Sequence, residues 1–112
     1  VWRYKDMKYF GNGFSASMLT NPNINIKMTA LSKEELKNEI KGAKSCIGHQ
    51  DLAEVLSNEL DCTVAYNRTS IALGVDDVYY WAYLNGGRLP IGATRLPQNV
   101  DLKYVKLEFK EV

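Results

Sequence analysis

The sequence has 112 residues, of which 46% are apolar and 24% are charged. This length and composition predict one globular domain with its own hydrophobic core, and they are unlike those of a disordered or membrane-spanning chain. Fourteen basic against thirteen acidic side chains give a formal net charge of +1. Such a balance argues against the broad basic surface that duplex nucleic acid requires, but it is compatible with a small anion held by a few converging cations.

The chain begins with a segment that we expect to lie outside the domain. Met7 starts a Met-Lys-Tyr-Phe run typical of a natural start followed by a strand, so residues 1–6 are interpreted as an N-terminal extension or an expression remnant. The single domain is then expected over residues 7–112. Its first elements are predicted to be a strand at 9–11, one helical turn at 15–19 and an alternating strand at 24–28.

Two helices are predicted next. Ser32 and Glu35 form a capping box, in which each side chain bonds the backbone of the other residue, ahead of a helix that runs to about Gly42. Leucine and valine recur at helical spacing after Gln50, and this stronger signal predicts a second helix that ends near Asp61.

The C-terminal half is predicted to be mostly β-structure. Residues 67–73 and 78–84 have the composition of strands, and the turn residues between them predict a hairpin. The second of these strands is apolar almost throughout, so we expect it to be central or covered on both faces. An irregular stretch with several prolines and glycines precedes a last strand at 104–109. The predicted fold class is α+β, a single domain with a mixed sheet of about five strands flanked by two to three helices.

His49 is the only histidine, so any imidazole chemistry depends on it. It follows Gly48 and stands directly before the second helix, whose start exposes unpaired N–H groups and a partial positive charge suited to an anion. Gly48 would let a phosphate approach the backbone closely. The alternative is structural, because a histidine at a helix start is commonly a cap or a surface residue.

Turns and strand ends carry the other polar candidates. Asn12 and Ser15 offer uncharged hydrogen bonds, while Arg68 and Arg88 offer forked donors that suit phosphate oxygens. Each of them also has an ordinary structural explanation, as a turn residue, a helix cap or a solvated charge.

The two cysteines favour neither a disulfide framework nor a metal site. Cys46 and His49 have a ligand-like spacing, but only Cys62 is left to join them, and a closed zinc site needs four nitrogen or sulfur ligands. We therefore expect reduced thiols in a cytoplasmic protein, with no metal and no cofactor. From composition and spacing alone, the chain is an α+β domain with a candidate anion site.

Four segments resemble those of a known protein family, both in their order and in the number of residues between them. They are Asn12-Gly-Phe-Ser-Ala-Ser-Met-Leu19, Cys46-Ile-Gly-His49 with the leucine-rich helix after it, Asn67-Arg68, and Arg88-Leu-Pro-Ile-Gly92. Together they resemble the small viral ring nucleases that act as anti-CRISPR proteins against type III systems, a family first met in archaeal viruses. The resemblance covers about residues 7–112. It implies a metal-independent homodimer that binds cyclic tetra-adenylate across its two-fold axis and cuts the ring, in an infected host cell if the protein is viral.

The resemblance also implies roles for individual residues. His49 matches the catalytic histidine of the family, and Arg88 matches the arginine of its Arg-Leu-x-x-Gly motif. In the implied reaction a ribose 2′-hydroxyl attacks its own 3′-phosphate, with His49 as general acid and arginine charge at the phosphorane. The ligand-binding positions carried over in this way are Asn12, Gly13, Phe14, Ser15, Ser17, Gly48, Gln50, Arg68 and Leu89.

One departure from the family pattern and one repeated motif keep alternatives open. Many members have glutamate where this chain has Ile91, so a second hypothesis is a sponge that sequesters a cyclic nucleotide without cutting it. Asp51 is a candidate to place a carboxylate nearby. Arg95 begins a second Arg-Leu-Pro and is a rival to Arg88. A third hypothesis is a structural or regulatory protein that keeps only the fold.

Overall fold

A five-stranded sheet organises the chain. The computed structural model describes residues 7–112, so the extension expected at residues 1–6 lies outside the described residues. The strands are β1 (Lys8–Gly11), β2 (Ile24–Leu31), β3 (Lys44–Cys46), β4 (Val78–Asn85) and β5 (Asp101–Glu111). The helices are α1 (Lys33–Glu39) and α2 (Gln50–Leu60), and one 3₁₀ turn spans Ala16–Met18.

The strand order is β2-β5-β4-β1-β3, which puts β4 at the centre. β4 pairs antiparallel with β5 and parallel with β1, and β1 also pairs parallel with β3. The apolar sequence of β4 fits this position, because a central strand is covered on both faces. The predicted α+β class, with a mixed sheet of five strands and two flanking helices, is confirmed.

Each face of the sheet has its own core. The buried residues on the side of the two helices are Phe10, Leu36, Ile47, Leu52, Ala53, Leu56, Leu60, Val64, Tyr80, Ala82 and Tyr104. Those on the other side are Leu73, Tyr79, Val105, Leu107 and Phe109. Successive side chains of a strand point to opposite faces, so the neighbours Tyr79 and Tyr80 are both buried but belong to different cores.

Both predicted helices form. The Ser32 side chain accepts a hydrogen bond from the Glu35 N–H, and the Glu35 carboxylate accepts one from the Ser32 N–H, which confirms the capping box. α1 ends slightly before Gly42, whose φ of +80° is no longer helical. α2 ends as predicted at Asp61, which has a left-handed backbone. Among residues 7–112, no helix has the length and apolar character needed to cross a membrane.

The predicted hairpin between residues 67–73 and 78–84 is wrong. Most of the first segment is exposed and forms no strand; its last residue, Leu73, and the preceding Tyr66 make isolated bridges to other segments. The physical reason is that β1 and β5 occupy both edges of β4, which leaves no edge for the preceding segment. Leu73 is instead buried in the core opposite the helices.

β3 is a strand that the sequence pattern does not predict. It has three residues, too few for a recognisable alternation of apolar and polar side chains. Its parallel pairing with β1 holds it on one edge, and the Ser45 hydroxyl donates a hydrogen bond of 2.6 Å to the Ala65 carbonyl. This strand matters for the site because His49 follows it closely.

Candidate functional site

The carboxyl ends of the three parallel strands β1, β3 and β4 meet at one end of the sheet. Asn12 directly follows β1, His49 comes three residues after β3, and Arg88 lies in the loop after β4. Crevices at the carboxyl ends of strands commonly bind ligands, because the loops that leave the strands converge there. The topology thus brings together residues that are far apart in the sequence.

A cavity of about 490 Å³ lies among these loops. Its lining residues are Asn12, His49, Gln50, Asp51, Leu52, Ala82, Tyr83, Leu84, Arg88 and Leu89. The volume is within the range typical of small-molecule sites, and the lining combines an apolar base with a few polar groups. Of the residues assigned to the site from the sequence, it contains Asn12, His49, Gln50, Arg88 and Leu89.

His49 occupies the N-cap position of α2 without using its side chain as the cap. Its carbonyl oxygen accepts the Ala53 N–H at 3.0 Å, as an N-cap residue should, but its imidazole makes no capping hydrogen bond. The residue is exposed. The imidazole is therefore presented to the cavity beside the first N–H groups of the helix, where an anion is favoured.

Asn12 joins the loop after β1 to the start of α2. Its Oδ1 accepts a hydrogen bond of 2.9 Å from the Gly48 N–H. A Cβ placed on Gly48 would lie 3.6 Å from Cγ of Arg68, so the stem of that arginine runs beside the backbone that leads to His49. Arg68 is exposed and does not belong to the lining of the cavity.

A second cavity, of about 340 Å³, adjoins the first and shares Asn12 with it. Ser15 lies next to it, with its Oγ 2.8 Å from Oγ of Ser17. The lining residues of this second cavity are Asn12, Gly13, Ser17, Met18, Cys46, Thr69, Ser70, Ile71 and Tyr79. Its rim is thus rich in hydroxyl groups.

Phe14 and Leu89 anchor two loops of the site through apolar contacts with the cores. The ring centroid of Phe14 lies 6.0 Å from that of Tyr79 and 6.1 Å from that of Phe109, in the core opposite the helices. Leu89 is half-buried and packs against the core on the helix side. Each of them therefore fixes a loop that carries a polar residue of the site.

The loop after β4 distinguishes Arg88 from its rival, because Arg88 lines the cavity and Arg95 does not. The loop then turns sharply: the Ala93 N–H donates to the Pro90 carbonyl at 3.1 Å, and Gly92 has a φ of +79°. This is the arrangement of a type II turn, and it leaves Ile91 at a fully exposed corner.

Two further residues line the cavity. Asp51, named from the sequence only as a candidate carboxylate, brings its carboxylate from the first turn of α2 into the lining. Tyr83 belongs to the apolar run of β4, which predicts a covered residue, but it is 36% exposed and lines the cavity. Its ring centroid lies 5.1 Å from that of Trp81.

Cys46 is part of the sheet rather than of a metal cluster. Its thiol donates a hydrogen bond of 3.4 Å to the Phe10 carbonyl, and burial raises the pKa of this thiol. Cys62 is exposed just beyond α2. Within residues 7–112, no three His, Cys, Asp or Glu side chains come together as a metal site would require.

Comparison with known proteins gives a family match and a structural match. The family model described as STIV B116-like matches residues 8–109. The solved structure of B116 from Sulfolobus turreted icosahedral virus is similar, with a TM-score of 0.74 at 18% sequence identity over 91% of this chain and 98% of that chain. No curated protein matches the sequence. The viral character of the resemblance is confirmed, and the chain belongs to the STIV B116-like family.

Proposed function

We propose that this protein is a metal-independent ring nuclease that binds and cleaves cyclic oligoadenylate, with cyclic tetra-adenylate as the expected substrate. It would act as an anti-CRISPR protein in the cytoplasm of an infected host cell. The observation that carries the proposal is the convergence of Asn12, His49 and Arg88 on one cavity at the start of α2. The viral family and the motif order that resembles ring nucleases support the same substrate class.

In the proposed reaction the substrate supplies its own nucleophile. A ribose 2′-hydroxyl loses its proton to solvent and attacks the adjacent phosphorus, and the bond from phosphorus to the 5′-oxygen breaks. Protonated His49 donates a proton to the leaving 5′-oxygen, while Arg88 stabilises the negative charge of the phosphorane. The products are a 2′,3′-cyclic phosphate and a free 5′-hydroxyl.

The neighbouring groups are suited to hold the ring. Gln50 and Asn12 offer uncharged hydrogen-bonding groups to the ligand. The N-terminus of α2 adds a partial positive charge for a phosphate. Because each chain has one histidine and the ligand is symmetric, the proposed active form is a homodimer with the ring across its two-fold axis.

Incubation with labelled cyclic tetra-adenylate in the presence of EDTA tests the enzyme. We expect linear products that end in a 2′,3′-cyclic phosphate, and a rate roughly 10²–10⁴-fold lower for His49→Ala, because the leaving oxygen loses its general acid. Cys62→Ser, an exposed change outside the cavity lining, serves as the control. An intact ring after long incubation with excess protein would reject the proposal.

A non-hydrolytic sponge is the second candidate, and the position of Ile91 favours it. This residue stands where many ring nucleases have glutamate, and its side chain is exposed at the turn rather than in the cavity lining. A sponge predicts saturable binding in calorimetry, ligand recovered unchanged, and the same affinity for His49→Ala. Failure to bind any cyclic nucleotide would contradict both candidates.

A further inference from the structure

Helix α2 holds the loop that carries Arg88 at two points. Oδ2 of Asp51 accepts a hydrogen bond of 3.0 Å from the Gly92 N–H. Nδ2 of Asn58 donates a hydrogen bond of 2.7 Å to the Thr94 carbonyl oxygen. The two helix residues are seven positions apart, and this spacing places them on the same face of an α-helix, two turns from each other.

The loop has little regular structure of its own. Residues 86–100 join β4 to β5 without a helix or strand. Their internal backbone hydrogen bonds close two tight turns, from Ala93 to Pro90 and from Val100 to Pro97, each at 3.1 Å. In the described part of the chain, the two side-chain contacts from α2 are therefore the polar links that set where this loop lies against the helix.

We propose that Asp51 and Asn58 are positioning residues that hold Arg88 beside His49. The inference rests on the proposed function, because it says how the same site is preorganised. α2 carries the imidazole at its N-cap and, two residues later, the carboxylate that fixes the arginine loop. One rigid element thus sets the positions of both groups, as preorganised electrostatic stabilisation requires.

The contact with Asp51 does not depend on the side chain at position 91. It is made to the backbone N–H of Gly92, so the turn is held although Ile91 is exposed. The Asp51 side chain acts here as a hydrogen-bond acceptor, and the amide oxygen of asparagine can take the same role. The substitution Asp51→Asn therefore distinguishes a positioning role, which needs only the hydrogen-bond acceptor, from a role that needs the negative charge.

The first experiment uses the free protein. Amide hydrogen exchange measured by NMR should show the Gly92 amide protected in the natural chain, and about tenfold faster exchange in Asp51→Ala. Glu54→Ala is the matched control, because it removes an exposed carboxylate from the same helix, three residues further on. Equal exchange of the Gly92 amide in the natural chain and in Asp51→Ala would overturn the proposal.

The second experiment measures cleavage of cyclic tetra-adenylate. Asp51→Ala and Asn58→Ala should each lower kcat by roughly 10–100-fold through misplacement of the arginine, with KM changed less than threefold and Tm nearly unchanged. Asp51→Asn should restore at least a third of the natural rate. Asparagine no better than alanine, or an alanine variant as fast as the natural protein, would overturn the proposal.

Failure of the proposed nuclease activity and failure of the positioning role give different results. If the natural protein leaves the ring intact, the proposed nuclease activity fails, while the exchange of the Gly92 amide still decides whether Asp51 holds the loop. If the natural protein cleaves the ring and Asp51→Ala and Asn58→Ala cleave it equally well, the proposed nuclease activity stands and the positioning role is lost.

Discussion

Gly11 ends β1 and directly precedes Asn12, and the space beside its Cα is already occupied. A Cβ there would clash with the Tyr79 hydroxyl and lie 2.8 Å from Sγ of Cys46. The hydroxyl is held in this place because it donates a hydrogen bond to the Gly13 carbonyl. At the scale of the residue, the missing side chain thus allows a buried tyrosine to fix the loop that carries Asn12.

We expect Gly11→Ala to lower the free energy of unfolding by about 1–3 kcal/mol, because the added methyl group overpacks this contact. Urea denaturation measures the change. Gly13→Ala is the matched control, since no atom lies within 4 Å of a Cβ at that position and its effect should stay within about 0.5 kcal/mol. Equal destabilisation by both substitutions would contradict the steric explanation.

At the scale of the element, one carboxylate ties the end of α1 to the two central antiparallel strands. Glu39 accepts a hydrogen bond of 2.8 Å from Nζ of Lys106 in β5 and one of 3.1 Å from the hydroxyl of Tyr80 in β4. The hydrogen bond from Lys106 holds the pKa of Glu39 below its usual 4.5, although burial acts in the opposite direction. The charged form of Glu39 therefore stabilises the folded state.

This contact predicts a pH dependence with a definite sign. A carboxyl pKa that is lower in the folded state stabilises the protein above pH 4.5, and the contribution is lost as the pH falls through the lowered pKa. The carboxylate is 33% exposed, so we expect about 0.5–1 kcal/mol at neutral pH. Urea denaturation between pH 3 and 7 measures it.

Glu39→Gln is the informative comparison for this pH effect. It cannot ionise, so its unfolding free energy should depend less on pH in the acid range than that of the natural protein. Parallel pH profiles for the two proteins would show that the contact with Lys106 contributes nothing to stability.

At the scale of the whole molecule, the near-neutral charge and the single histidine bear on how many chains bind one cyclic ligand. A ring that spans a two-fold axis meets two copies of His49 and two of Arg88, which supplies several converging charges without a broadly basic surface. A homodimer is therefore the form in which the proposed activity is expected.

Light scattering should give twice the mass of one chain, and calorimetry should give about one cyclic tetra-adenylate per two chains. Excess duplex DNA should not compete, because the net charge of +1 offers no extended phosphate-binding surface. Binding of one ring per chain to a monomer would contradict the shared site.

Several elements were predictable because they depend on near neighbours in the sequence. The capping box of α1 and the apolar stripe of α2 need only residues three or four positions apart. The central place of β4 follows from its apolar run, because a strand without a polar side must be covered on both faces. The strands that pair with β4 could not be predicted in the same way, because strand pairing joins segments that are distant in the sequence. β3 was missed because it is too short to give a pattern.

The same distinction between local signals and long-range contacts applies to the candidate site. The sequence by itself determined the fold class and, through the resemblance, pointed to His49, Arg88 and Asn12. Only the tertiary structure decided that these residues share a cavity, because their convergence depends on the parallel pairing of β1 with β3 and β4. It also decided that Arg88 rather than Arg95 lines that cavity, and that the nearby carboxylate belongs to Asp51. Local spacing predicts helices, whereas the position of a loop depends on contacts with segments that are distant in the chain.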